Sequence, residues 1–304
     1  MHLTRRHLLK TALAGLAGPA IPRVFAQAPA PGVEKLADDL FVLRLPGEAA
    51  VVAHTGPGGV VLVDGGSAAG SAALLAEVAK LPNGGGRIHT LFNTHWHPEQ
   101  TGSNERLGAA GATIIAHENT RLWLQQNVTW PWNGRKFQKL PKIAQPNKTF
   151  YTTGSLDSGI RYGYIPDAAH TDGDLYVYFP QHNVLAVGEA AYGEGAGWPV
   201  VDWWSGGWIG GIVGGLQRIL SVANPQTRIV PAHGRVLSYS EVAAQVNMYG
   251  AIYDRLVQMI NKGRGPTEGV EAKPAKEFED KMGNADEFIR RSFESLWAYL
   301  SPDA

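Results

Sequence analysis

Two histidines two residues apart, His95 and His97, stand just beyond an apolar run at 88–92. In an extended segment, residues i and i+2 point to the same side, so both imidazoles can address one point in space. Two ring nitrogens meeting there make half of a tetrahedral zinc shell. The other donors must come from elsewhere, and the fold therefore has to bring distant strand ends to one edge. Three further stretches suit that demand. His170 opens His170-Thr171-Asp172-Gly173-Asp174 ahead of the run at 175–179, Glu189 follows the run at 184–187, and His233 in Pro231-Ala232-His233-Gly234 follows the run at 228–230. The chain has no cysteine, so histidine and carboxylate must do any metal work, and no disulfide framework exists.

Short apolar runs broken by glycine, at 40–45, 50–54 and 60–64, read as strands. Residues 71–81 carry helical spacing and stop at Pro82-Asn83-Gly84, after which 88–93 reads as a buried strand. The alternation continues with helices at 104–110 and 119–126 around a strand at 113–116, as in an α/β protein. Residues 130–146, rich in Trp, Pro, Lys and Gln, lack a period and read as a long surface loop. Strands are expected at 149–153, 160–165, 175–179, 184–187 and 228–230, and helices at 209–222, 240–262 and 285–300. Two mixed halves of this kind fit a sheet-on-sheet sandwich with helices on both outer faces.

The first 28 residues join a basic head to a short apolar run and end in Ala26-Gln27-Ala28, a cleavage-like site. Thr4-Arg5-Arg6-His7-Leu8-Leu9-Lys10 matches the twin-arginine export pattern. Residues 1–28 are therefore expected to be a signal peptide handled by the twin-arginine machinery, and 29–304 one domain that reaches the periplasm with no stable membrane span after cleavage. The leader holds Arg5, Arg6, Lys10, Arg23 and no acid, which leaves the rest of the chain mildly acidic. That balance argues against nucleic acid as a partner; a small-molecule substrate is expected, and the oligomeric state is left open.

In order and spacing, these motifs resemble the metallo-β-lactamase superfamily over roughly residues 40–239, with Leu62-Val63-Asp64-Gly65-Gly66 similar to its early strand–Asp–Gly turn. The resemblance implies a four-layer αββα sandwich. It also implies His95, His97 and His170 as ligands of a first metal, Glu189 in place of an aspartate that bridges two metals, His233 as the remaining second-site ligand, and Asp64 as a brace. The family loop His-x-His-x-Asp-His reads here His95-Trp96-His97-Pro98-Glu99-Gln100. A neutral amide such as that of Gln100 is a poor zinc ligand. One firmly held ion is expected and a second is not. Zinc is the default, while three histidines and a carboxylate also suit iron or manganese.

The expected activity is metal-dependent hydrolysis of a small ester, lactone or amide, β-lactams included, with Glu99 or Glu189 as the catalytic carboxylate that orients the water or takes its proton. The competing readings are a periplasmic metal- or ligand-binding accessory protein without turnover, and a mononuclear iron redox protein. The Trp-rich stretch 197–208 follows Glu189 and is placed near the metal mouth, either lining an apolar pocket or packing an edge. His54, His89 and His182 belong to no motif and are expected to be satisfied locally or to face solvent; His117 is expected to pack or to cap the next helix.

Overall fold

The computed structural model describes residues 29–83 and 85–300, so the expected leader at 1–28 lies outside the described residues. In chain order the strands and helices are β1 (Gly32–Ala37), β2 (Leu40–Arg44), β3 (Val51–Gly56), β4 (Gly59–Val63), α1 (Ser71–Lys80), β5 (Ile88–Phe92), α2 (Pro98–Thr101), α3 (Asn104–Ala109), β6 (Thr113–His117) and α4 (Glu118–Leu124). They continue with β7 (Val128–Thr129), β8 (Lys136–Phe137), β9 (Lys148–Phe150), β10 (Thr153–Ser155), β11 (Arg161–Tyr164), β12 (Leu175–Phe179) and β13 (Val184–Gly188). Last come α5 (Ile209–Val222), β14 (Arg228–Pro231), α6 (Tyr239–Ile260), α7 (Pro266–Glu271), α8 (Glu279–Met282) and α9 (Asp286–Leu300).

One sheet runs β1-β2-β3-β4-β5-β6-β9 and the other β10-β11-β12-β13-β14, with β7 and β8 forming a small hairpin apart. Alternation along the strands makes the layers. On β4, Val61 and Val63 point inward to meet Phe179, Val184 and Ala186 of the second sheet, while Val60 and Leu62 pack outward against Leu74 and Val78 of α1. On β13, Leu185 and Val187 point outward to Ile212 and Leu216 of α5 and Tyr249 of α6. The result is the expected αββα order. Parallel pairing of β4 with β5, β5 with β6, and β13 with β14 puts the C-terminal ends of those strands at one edge of the sandwich. Asp64, His95, Glu189 and His233 all lie just beyond such ends.

Two local expectations are corrected, and one strand is added to those expected. Residues 149–153 are not one strand: Lys148–Phe150 pairs in parallel with β6, whereas Thr153–Ser155 pairs antiparallel with β11, so the chain changes sheets between them. Gly32–Ala37, for which no element was expected, adds an edge strand to the first sheet. The stretch 130–146 is no mere surface loop, because Trp130 and Phe137 are buried against Trp96. Among the described residues no helix is long and apolar enough to cross a membrane.

The long helix α6 starts at a capping box: Ser238 accepts from Glu241 N–H, and the Glu241 carboxylate accepts from Ser238 N–H. Partial burial opposes ionisation of Glu241, yet Arg235 and the Ser238 donors bring its pKa down to about 2. Ser238→Ala is expected to cost about 1 kcal/mol in denaturant unfolding. The Glu241 half of the box contributes fully above the unfolded carboxyl range, at about pH 4.3, and is lost as pH falls toward 2.

Candidate metal centre

β5 ends in Leu91 and Phe92, both fully buried, and the chain then turns through Asn93 and Thr94 into the histidine pair. The turn is held from below by Asp64, which sits at a positive φ of 67° after β4. Its two carboxylate oxygens accept from Thr94 N–H and Thr94 Oγ1–H, each at 2.8 Å. Burial pushes the Asp64 carboxyl up to about 7 against those two donors. His170 is fixed by a comparable device: the Asp174 carboxylate accepts from His170 N–H at 2.6 Å and from the Thr171 hydroxyl at 2.7 Å.

These braces bring His95, His97 and His170 together, all buried. His97 Nδ1 lies 3.1 Å from His95 Nε2 and 3.0 Å from His170 Nε2. The outer nitrogens decide the tautomers. His97 Nε2 is 2.9 Å from Asp202 Oδ2, and His170 Nδ1 is 3.0 Å from the Val200 carbonyl. Carbonyls and ionised carboxylates only accept, so each neutral ring carries its proton outward and turns a lone pair inward. His95 Nδ1 has Thr94 Oγ1 at 3.2 Å, an oxygen left free to accept because its own proton goes to Asp64. Three lone pairs, that of His97 about 3 Å from each of the others and all within 4.8 Å of one another, repel unless a cation lies between them, and zinc–nitrogen bonds of about 2.0 Å suit that spacing. Burial first, then the neighbouring His170 and His97, hold the His95 pKa well below its usual range, which keeps that ring available as a ligand. The residues present fit a metal ion.

Glu189 lies beside the triad, with Oε2 3.4 Å from His170 Nε2 and Oε1 3.8 Å from His95 Nε2. Its oxygens also accept from Gln100 Nε2 at 3.1 Å, from His233 Nε2 at 3.2 Å and from the Tyr192 hydroxyl. Burial works to raise the Glu189 carboxyl, but His170, His233 and His95 outweigh it and hold it well below the usual carboxylate range. The same pairing raises His233 against its own burial. Glu99 stands apart at the rim, where it pairs with Arg135 at 2.6 Å, and only its charge reaches His233. Of the residues expected from the sequence, the structure brings His95, His97, His170, Glu189 and His233 into one cluster and leaves Glu99 on its border.

Aromatic rings close the His97 side. Trp96 lies 4.6 Å and Trp130 5.2 Å from the His97 ring, with Phe137 packed on both indoles. From the Trp-rich stretch, Trp203 joins through Trp132 at 5.7 Å, whereas Trp198 stacks away from the site on Phe288. Sequence reasoning passed over Asp202, the residue that orients His97. It lies 105 positions downstream in a 3-10 turn where Ser205 and the Trp96 indole complete the network. Tyr192, three residues after Glu189, was passed over as well. Asp202→Ala is expected to weaken metal binding about 10- to 100-fold, measured by competition with a chelator, while far-UV circular dichroism stays unchanged.

The family model of the metallo-beta-lactamase superfamily matches residues 43–233. The chain belongs to that superfamily. Among solved structures, the metallo-beta-lactamase fold is shared with the stereoselective inverting sec-alkylsulfatase Pisa1 from Pseudomonas sp., at 16% identity and a TM-score of 0.65 over 87% of this chain. This chain spans 50% of that protein's length. A metallo-beta-lactamase from Pontibacter korlensis matches at 19% identity and a TM-score of 0.54, over 72% of this chain and 98% of the other. One from Hirschia baltica matches at 15% identity and 0.57, over 72% and 98%. Superfamily membership and the buried histidine triad support a metal cofactor and metal-dependent hydrolase chemistry.

Proposed function

We propose that this protein is a one-metal hydrolase of small esters, lactones or amides, exported to the periplasm by its twin-arginine leader. The observation that carries the one-metal reading is the environment of Glu189. Where the superfamily's second ion would bind, Gln100, His233 and Tyr192 each donate a hydrogen bond to the carboxylate. Those donors supply the positive field that a second cation otherwise provides, and the triad remains as the place for a single ion.

An ion held by His95, His97 and His170 supplies a Lewis acid and a hydrolytic nucleophile near neutral pH; zinc suits the donors best, with iron and manganese compatible. Glu189, kept ionised beside the triad, accepts a hydrogen bond from an incoming water and orients it. Tyr192 and His233 fix that carboxylate in place. Trp96, Trp130 and Phe137 keep water from the His97 side. The approach for a small substrate is the groove bordered by His233, Gly234, Pro46 and Gly47, since His233 is 36% exposed while the triad is buried.

The test is elemental analysis of purified protein, followed by assay of apo and zinc-reconstituted forms on chromogenic esters, lactones and β-lactams. About one zinc per triad and zinc-restored turnover of at least one of these classes support the reading. Bound metal without turnover on any of them favours a binding protein, which the occupied hydrogen bonds of Glu189 also suit. Iron with a visible spectrum favours the redox alternative.

A further inference from the structure

At the end of the sandwich opposite the triad, two histidines outside every motif meet a carboxylate. Asp39 sits in the tight turn between β1 and β2, His54 on β3, and His182 in the turn between β12 and β13. His54 follows the inward-facing Ala50 and Val52 at intervals of two, so its ring points between the sheets, 5.8 Å from Phe179 of the other sheet. His182 comes from that second sheet, and the His54 and His182 rings are 5.9 Å apart. Asp39 lies between them, with Oδ2 3.4 Å from His54 Nε2 and Oδ1 3.1 Å from His182 Nε2.

We propose that Asp39, His54 and His182 form a second transition-metal site that ties the two sheets together at their far edge. One donor atom from each residue lies within 4.8 Å of the others, and none of the three residues is fully buried, so water can complete the shell. Each ring nitrogen lies about one edge of a tetrahedral zinc shell, about 3.3 Å for bonds of about 2.05 Å, from its nearer carboxylate oxygen, Oδ2 for His54 and Oδ1 for His182. His182 Nε2 is buried without a hydrogen bond even though Asp39 Oδ1 is 3.1 Å away. The carboxylate therefore lies off the axis of the ring nitrogen. A cation between them satisfies both groups where a direct hydrogen bond does not.

The supporting loops are already set. Thr55 N–H donates to the Asp39 carbonyl at 2.8 Å, His182 N–H to Phe179 O at 3.1 Å, and Arg228 binds the carbonyls of both Leu36 and His182. Two imidazoles and one carboxylate suit borderline divalent ions such as zinc, cobalt or nickel and not calcium or magnesium.

The test uses the mature chain carrying His95→Ala, which disables the triad. Zinc alone, added to metal-free protein, is expected to bind at about one equivalent by isothermal titration and to raise the melting temperature by about 2–6 °C. Adding His182→Ala is expected to abolish both effects, and Asp39→Asn to weaken binding at least tenfold with the metal-free melting temperature nearly unchanged. In the otherwise wild-type chain, His182→Ala is expected to lower the zinc content by one equivalent and leave turnover intact. Equal zinc uptake and an equal thermal shift with and without His182, or no uptake in the His95→Ala chain, would overturn the proposal.

Discussion

His95→Ala is expected to leave a folded protein that retains no ion at the triad and turns over its substrate at least ~1000-fold more slowly. His95 Nε2 is one of only three inward lone pairs, and the braces on the other two do not run through it: His97 leans on Asp202 and His170 on Val200 and Asp174. The substitution therefore removes a ligand and spares the scaffold. Loss of an outer partner already costs about 10- to 100-fold in comparable sites, and loss of the ligand itself costs more. Metal content by mass spectrometry of the native protein and initial rates on the best substrate check both parts. Full turnover in metal-free His95→Ala protein would defeat the hydrolase reading.

Gly207→Ala is expected to damage both the fold and the metal site, although Gly207 is no ligand. A β-carbon there would stand 2.1 Å from the His170 carbonyl oxygen and 3.0 Å from that of Asp202. Both neighbours are backbone, so neither can swing aside. Gly207 N–H also donates to Asp202 O at 2.9 Å, which ties the turn carrying Asp202 to the loop carrying His170. Relief of the overlap must move one of those segments by about 1 Å. A cost of about 2–4 kcal/mol in unfolding free energy is expected, together with a loss of metal affinity beyond that of Asp202→Ala. Denaturant melts in the presence and absence of zinc separate the two effects. A wild-type melting curve and unchanged zinc affinity would show that the loops are not locked in this way.

Much of this architecture is legible in the sequence, because sheets and helices announce themselves through period. The helix over Ile209–Val222 coincides with its expectation, and the inner and outer faces of β4 and β13 follow from strict alternation. Period is blind to the partner. Residues 149–153 read as one strand, but only the neighbours of each half show that the chain leaves one sheet for the other. The buried hairpin β7–β8 was hidden for a related reason: Trp130 and Phe137 are covered by Trp96, which is remote in sequence, and Arg135 lies over both rings.

The site divides along similar lines. Histidines at strand ends carry a local signature, and the chain brings them together. Asp202 carries none, since an aspartate in an aromatic-rich turn is ordinary until His97 arrives beside it. Glu99 sits one residue past a helix start, where an acid is common, and its partner Arg135 lies on the hairpin that the sequence left unstructured. His54 and His182 had no motif at all, and their meeting depends on two strands from different sheets ending level with one another.

The three outward protons of the triad go to unlike acceptors: a hydroxyl at His95, a backbone carbonyl at His170 and an anion at His97. The rings are consequently unequal electron donors. The imidazole that shares its proton with a carboxylate gains the most basicity, so His97 would be the strongest donor of the three to an ion held there.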